Sequence, residues 1–183
     1  MKRLAVCLLA CLLLSGCGVL PYPRELENTL LMRVLGIDQR EGEVVVTAAN
    51  IPEKGEEGAC LTARGKDLEE SCQKLKEAGE EYVALTHVTQ IVVGENSDLS
   101  SVLKAVLDQR EIGQTATVWR CEGTARESME QVGGGAKRLT SLELNQSGLE
   151  TVTVLQALAR LEETGEVSLP GLAVKDGVLE VVS

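Results

Sequence analysis

Apolar residues fall along this chain in three patterns: one unbroken run at the start, several short β-type runs, and stripes at helical spacing. Leu30 to Asp38 and Glu43 to Asn50 are β-rich runs separated by the polar Gln39-Arg40-Glu41-Gly42, which predicts a hairpin. After a charged loop at 51–58, Cys60 to Ala63 reads as a short strand. Asp67 to about Ala78 reads as a helix with Asp67 as N-cap, Glu70 at the capping-box position, and Leu68, Cys72 and Leu75 on one stripe. A strand over Thr89 to Val93 leads through Gly94 to a helix starting near Asp98, whose Leu99, Val102, Leu103, Val106 and Leu107 follow the spacing of a core-facing helix. Thr115 to Cys121 is a further strand. Thr124 and Glu127 predict a capping box for a short helix ending near Gln131.

Val132 to Gly148, with Gly133-Gly134-Gly135 inside it, reads as a flexible segment. A last helix is predicted from about Thr151 to Glu163, with Val154, Leu155, Leu158 and Leu161 as its stripe and Gly165 as its stop. Asp176-Gly177 then turns a terminal hairpin whose second arm is Val178 to Val182. The resulting expectation is an α+β fold, with one mixed or antiparallel sheet and about four helices packed on it.

The initial run has a different meaning. Met1-Lys2-Arg3 is basic, Leu4 to Leu14 is wholly apolar, and Leu14-Ser15-Gly16-Cys17 follows. As a helix the run would reach about 16 Å, well short of the roughly 30 Å hydrocarbon core, so it reads as a signal-peptide core. The tetrad resembles a bacterial lipobox, which makes Cys17 the expected lipid attachment site. Residues 1–16 are then a lipoprotein signal peptide, 17–29 a lipid-anchored tether containing Pro21 and Pro23, and 30–183 the α+β domain. Two or more acyl chains on one cysteine anchor a protein stably, whereas a single chain does so only marginally.

Composition narrows the function. Twenty-eight acidic against 18 basic residues give a formal charge of -10, which disfavours binding to a phosphate backbone, so no nucleic-acid partner is expected. Phenylalanine is absent and the aromatic residues are Tyr22, Tyr82 and Trp119, too few for a base-stacking platform. Beyond the signal segment and Cys17, the cysteines are Cys60, Cys72 and Cys121. They are an odd number, in apolar patterns, and read as buried small hydrophobes, with a Cys60–Cys72 disulfide open but not indicated.

The single histidine, His87, has no partner nucleophile in a recognisable motif, and a structural role in capping or pairing with a nearby acid is the preferred reading. Gly65-Lys66 lacks the spacing and the Ser or Thr of a phosphate loop. The acid pairs Glu56-Glu57, Glu69-Glu70, Glu80-Glu81 and Glu162-Glu163 read as solvated faces, because adjacent helical side chains diverge. No catalytic residue, metal set or cofactor loop emerges, so no enzyme activity, metal or cofactor is expected.

Several segments in order resemble the Ger(x)C family of spore germination lipoproteins, the C-type subunits of nutrient germinant receptors. Arg24-Glu25-Leu26 and Val34-Leu35-Gly36-Ile37-Asp38 resemble its start and first strand. Ala63-Arg64-Gly65-Lys66-Asp67-Leu68 resembles its turn into the first helix, and Thr86-His87-Val88-Thr89-Gln90-Ile91-Val92-Val93-Gly94-Glu95 its Gly-Glu strand. Leu103 to Val118, around Asp108-Gln109-Arg110-Glu111-Ile112, resembles the following helix, turn and strand. Leu158, Leu161, Gly165, Leu169 and Pro170 resemble the closing helix and Leu-Pro.

Two departures stand out. Gly18-Val19-Leu20-Pro21-Tyr22-Pro23 replaces the Trp-Asp-Arg usual after the lipid cysteine, and the likeness covers the family's amino-terminal domain only. The resemblance implies a non-enzymatic subunit that scaffolds or transmits a signal, with integral membrane subunits as partners. It further implies lipid anchoring on the outer face of a membrane, expected to be the spore inner membrane. The alternative is a general cell-envelope lipoprotein that binds a small solute or peptide.

Overall fold

A computed structural model describes residues 29–52, 58–145 and 149–182. Nine strands form one sheet. They are β1 (Thr29–Arg40), β2 (Glu43–Asn50), β3 (Cys60–Gly65), β4 (Tyr82–Ala84), β5 (Gln90–Gly94), β6 (Thr117–Cys121), β7 (Val152–Thr153), β8 (Gly171–Lys175) and β9 (Val178–Val182). The spatial order is β3-β2-β1-β5-β6-β8-β9, with β4 beside β1 and β7 beside β6. The sheet is mixed: β1, β5, β6 and β8 run parallel in succession, while the β1–β2, β2–β3, β6–β7 and β8–β9 pairs are antiparallel.

Five helices cover it: α1 (Leu68–Ala78), α2 (Leu99–Asp108), α3 (Ala125–Gln131), α4 (Ala136–Asn145) and α5 (Val154–Thr164). The fold class is α+β, and both faces of the sheet are covered. Leu35, Ile37, Ile91, Val93 and Val118 point to the face where α1, α2 and α5 bring Leu75, Leu103 and Ala157. Val34, Val92, Trp119 and Cys121 point to the opposite face, against Ala125 and Met129 of α3 and Leu139 of α4. Burial on both sides explains the uninterrupted apolar runs: every residue from Val34 to Asp38 and from Gln90 to Gly94 is buried, where a one-sided sheet would alternate.

Local signals set most boundaries. Asp67 accepts the N–H of Glu70 at 2.8 Å, and the Glu70 carboxylate reaches back to the Lys66 N–H at 3.0 Å. Asp98 caps α2 through the Ser100 N–H, and Thr124 caps α3 through the Glu127 N–H. Gly165, with φ 78°, ends α5 in the left-handed conformation that glycine adopts without strain. Asp176-Gly177 turns the terminal hairpin between β8 and β9.

The structure corrects the sequence reading in several places. Of the segment Val132 to Gly148 assigned to flexibility, 146–148 lie outside the described residues and most of the remainder is α4, so the helices number five among the described residues. Its three preceding glycines, at φ 60°, 88° and 65°, take left-handed conformations in the turn between α3 and α4. The last helix starts at Val154, where Thr153 and Gln156 form a full capping box, and Val152–Thr153 is instead strand β7. Strand β1 runs on to Arg40, so Gln39 and Arg40, placed in the hairpin turn by the sequence, pair with Val44 and Glu43. Cys60, Cys72 and Cys121 are free thiols. Cys72 and Cys121 are buried, while Cys60 is only half-buried because β3 is an edge strand. Among the described residues no helix is long and apolar enough to cross a membrane.

Candidate functional site

Cys17, with the signal peptide and the tether as far as residue 28, lies outside the described residues. Among those that are described, the polar groups cluster at the carboxyl ends of the parallel strands β1, β5 and β6, the edge where ligands gather in open sheets with parallel strands. Here Gly36, Asp38, Gly94, Glu95 and Gly65, quoted above for the family resemblance, acquire specific structural tasks.

Asp38 ends the buried part of β1 on the face covered by α3. Its Oδ1 accepts the N–H of Ala125 at 2.8 Å and its Oδ2 accepts that of Arg126 at 2.9 Å. These are orphan donors of the first turn of α3, at the end of the helix that favours a negative charge. Burial pushes the Asp38 carboxyl above its ordinary pKa, against the opposing pull of the Arg126 and Ala125 N–H bonds and of Arg40. Gly94 stands directly opposite: a Cβ there would overlap Asp38 Oδ1 and approach the Ala125 nitrogen at 3.3 Å. Gly36 makes room for the same helix, since a Cβ would come within 2.6 Å of Met129 Sδ. The two glycines and the aspartate form one docking device for α3.

Glu95 extends that device to the β6 side. Its N–H donates to the Gly123 carbonyl at 2.8 Å, and its Oε2 accepts the Gly123 N–H at 2.9 Å. Arg120 donates through Nη2 to the carbonyls of Ser97, at 2.9 Å, and Glu95. On the other face, Gln39 organises the start of α2. Its Oε1 accepts the Asp98 N–H at 3.0 Å, its Nε2 donates to Ser101 Oγ at 3.2 Å, and its own N–H donates to Ser97 Oγ at 2.9 Å. Between the amino-terminal turns of α1 and α2 a cleft of about 210 Å³ opens beside Gln39.

Gly65 belongs to the neighbouring edge strand. A Cβ on it would meet the Ser71 nitrogen at 2.7 Å, so Gly65-Lys66 serves close packing of α1 on β3. Ser71 Oγ, in turn, donates to the Val44 carbonyl at 2.8 Å. A second polar network crosses the α4 face. Trp119, fully buried, donates Nε1–H to Gln90 Oε1 at 2.6 Å; Gln90 Nε2 and the Thr117 hydroxyl both donate to the Glu143 carboxylate. Sequence reasoning missed Asp38 as a helix dock and Glu143 as a half-buried acceptor, since both partnerships join residues far apart in the chain.

The chemistry open to these groups is limited. Burial raises the Cys72 thiol to about 12 and Cys121 to about 11, and pushes Cys60 up as well, so these thiols stay protonated near neutrality. His87 is exposed in the turn before β5 and takes part in no ion pair among the described residues. The described residues contain no group of three or more His, Cys, Asp or Glu able to hold a metal. The Asp38 and Gln39 contacts hold the starts of α3 and α2 to the carboxyl edge of the sheet.

The fold and this edge define a two-faced α+β domain whose conspicuous glycines and acids serve helix docking. The family model described as "Spore germination protein N-terminal domain" matches residues 23–174, and the chain belongs to that family. It is thus the amino-terminal domain type of the C-type germination proteins, with a germination-related role. No curated protein and no solved structure matches the chain.

Proposed function

We propose that this chain is a lipid-anchored C-type subunit of a nutrient germinant receptor, held at the outer face of the spore inner membrane by acyl groups on Cys17. It acts on integral membrane subunits as a scaffold or signal transmitter and makes or breaks no covalent bond itself. The observation that carries the reading is the family match over residues 23–174, standing directly behind the basic, apolar and small-residue segments of a lipobox. The protonated thiols and the helix-docking task of the polar edge agree with a role in contacts rather than catalysis.

An experiment on partners tests it. The chain, tagged at its carboxyl terminus, is expressed in spores and recovered from detergent-solubilised inner membrane, with Cys17→Ala in parallel. The reading expects integral membrane receptor subunits to co-purify with the wild-type chain and to be depleted with the variant. Recovery of the wild-type chain without any integral subunit, after cross-linking in intact spores, would overturn it.

A further inference from the structure

We propose that the open edge of β3 pairs with β3 of a second copy of this chain, antiparallel about a two-fold axis at Thr62, so that the two sheets become one. The inference goes beyond the germination reading and rests only on the sheet. Strand β3 ends the sheet on one side and pairs with β2 alone. The Asn50 N–H donates to the Ala59 carbonyl at 3.2 Å, which marks these two residues as a hydrogen-bonded pair. Stepping two residues at a time along the ladder, Leu61, Ala63 and Gly65 bond to β2, so the N–H and C=O groups of Cys60, Thr62 and Arg64 point away from it. Among the described residues no other backbone group meets them. Sheet edges are ordinarily blunted by Pro, Lys, a bulge or a covering element. The opposite edge, β9, is covered at Leu179, whose carbonyl takes the Arg138 Nε–H from α4 at 3.0 Å. Strand β3 has no such protection: Cys60 to Gly65 holds no Pro or Lys, and its register with β2 is unbroken.

The strand also fits itself. With Thr62 facing Thr62, Cys60 faces Arg64 of the copy, and no like charges stand opposite each other. An axis at Arg64 would instead set two arginines face to face. Leu61 and Ala63 pack into the core on the α1 side, which puts Cys60, Thr62 and Arg64 on the α3 face. Burial, and then the charge of Glu130 on α3, push the Cys60 thiol up, so Glu130 stands near Cys60. Arg126 holds Oε1 of that carboxylate. The copy's Arg64, exposed and in none of the ion pairs among the described residues, arrives beside it, and the axis repeats the contact on the other side. One six-residue strand from each copy makes a small interface, of the transient class below about 1,200 Å².

Disulfide trapping of the full chain tests the pairing, in detergent micelles at about 100 μM, a concentration that populates a micromolar dimer. Arg64→Cys sets a thiol opposite Cys60 of the copy, with about 5.5 Å between Cα atoms, inside the range of a disulfide. Within one strand residues 60 and 64 lie about 13 Å apart and cannot bridge. Oxidation with copper phenanthroline is expected to convert Arg64→Cys to a covalent dimer, and the added Cys60→Ala is expected to remove that band. In the Arg64→Cys background, Thr62→Pro takes away an N–H on the open side and none from the β2 ladder. Thr62→Lys sets two like charges opposite each other at the axis. Each is expected to abolish the dimer while the emission of Trp119 stays native. Absence of a Cys60-dependent dimer in Arg64→Cys, or a dimer that survives both Thr62 variants with native emission, would overturn the proposal. In spores given the same oxidant, trapping of Arg64→Cys on a different protein in place of its own copy would overturn it as well.

Discussion

Asp38 at the end of β1 and Ala125 at the start of α3, 87 residues apart, are joined by a 2.8 Å hydrogen bond from the Ala125 N–H to the Asp38 carboxylate. With the adjoining Arg126 N–H, the bond fixes where α3 meets the sheet, and it works only because Gly94 lacks a side chain at that point.

Removing the carboxylate orphans two helix donors. Asp38→Ala is expected to lower the unfolding free energy by about 3 kcal/mol, the scale for hydrogen bonds to a charged group. Gly94→Ala alone should also destabilise, because its Cβ overlaps Asp38 Oδ1. In the Asp38→Ala background that overlap is gone, and the double variant should be more stable than the two single losses add up to, by about 1 kcal/mol or more. Urea unfolding of the four species, followed by the emission of Trp119, the one tryptophan, measures the coupling. Simple additivity would rule out the Asp38–Gly94 contact as the reason for the glycine.

Glu143 takes hydrogen bonds from Gln90 and Thr117, and Gln90 in turn receives the Trp119 indole N–H. Glu143→Ala leaves the buried Gln90 amide short of an acceptor and is expected to cost about 1–3 kcal/mol. Because the network ends on the indole, the near-ultraviolet circular dichroism of native Trp119 should change as well. An unaltered Trp119 signal with unaltered stability would contradict the network.

The buried thiols set an alkaline limit. Folded values of about 12 for Cys72 and about 11 for Cys121 lie above the ordinary value of 9.0, so the folded state holds these protons more tightly than the unfolded chain. Their contribution to stability is complete below about pH 9 and is lost as pH rises through the folded values. Between pH 9 and 11 each should remove about 1 kcal/mol per pH unit. Unfolding of wild type, Cys72→Ala and Cys121→Ala across that window measures the slopes, which should be shallower in the variants. At pH 8 native Cys72 and Cys121 should also react with a thiol reagent far more slowly than in denaturant.

Cys17 makes a separate prediction. Cells fed radiolabelled palmitate should label the wild-type chain in the membrane fraction, while Cys17→Ala should take up no label and retain its leader. Label on the variant would place the acyl group elsewhere.

How far the sequence reaches depends on the range of the interactions involved. Helix α2 was legible from Leu99, Val102, Leu103 and Val106, and its cap from Asp98, because both signals lie within a few turns. Helix α4 was obscured by Gly133-Gly134-Gly135, although Ala136, Leu139 and Leu142 carry a three-residue stripe that marks its buried face. Strand β4 has only three residues, too few for periodicity, and is defined by parallel pairing with Thr29 to Leu31. The resemblance found Gly36, Asp38 and Gly94 but not their common purpose, since the helix they receive lies far along the chain. The Gln39 cleft was invisible for the same reason: it needs β1, α1 and α2 assembled.

The most direct test of the receptor-subunit account is nutrient-triggered germination, followed as loss of optical density and release of dipicolinic acid. It compares wild-type spores, spores lacking the gene, and spores carrying Cys17→Ala, in a strain without a sister gene. The account predicts that both mutants lag for at least one nutrient and respond normally to a receptor-independent trigger. Wild-type germination of both mutants with every nutrient tried would contradict it and favour a general envelope lipoprotein.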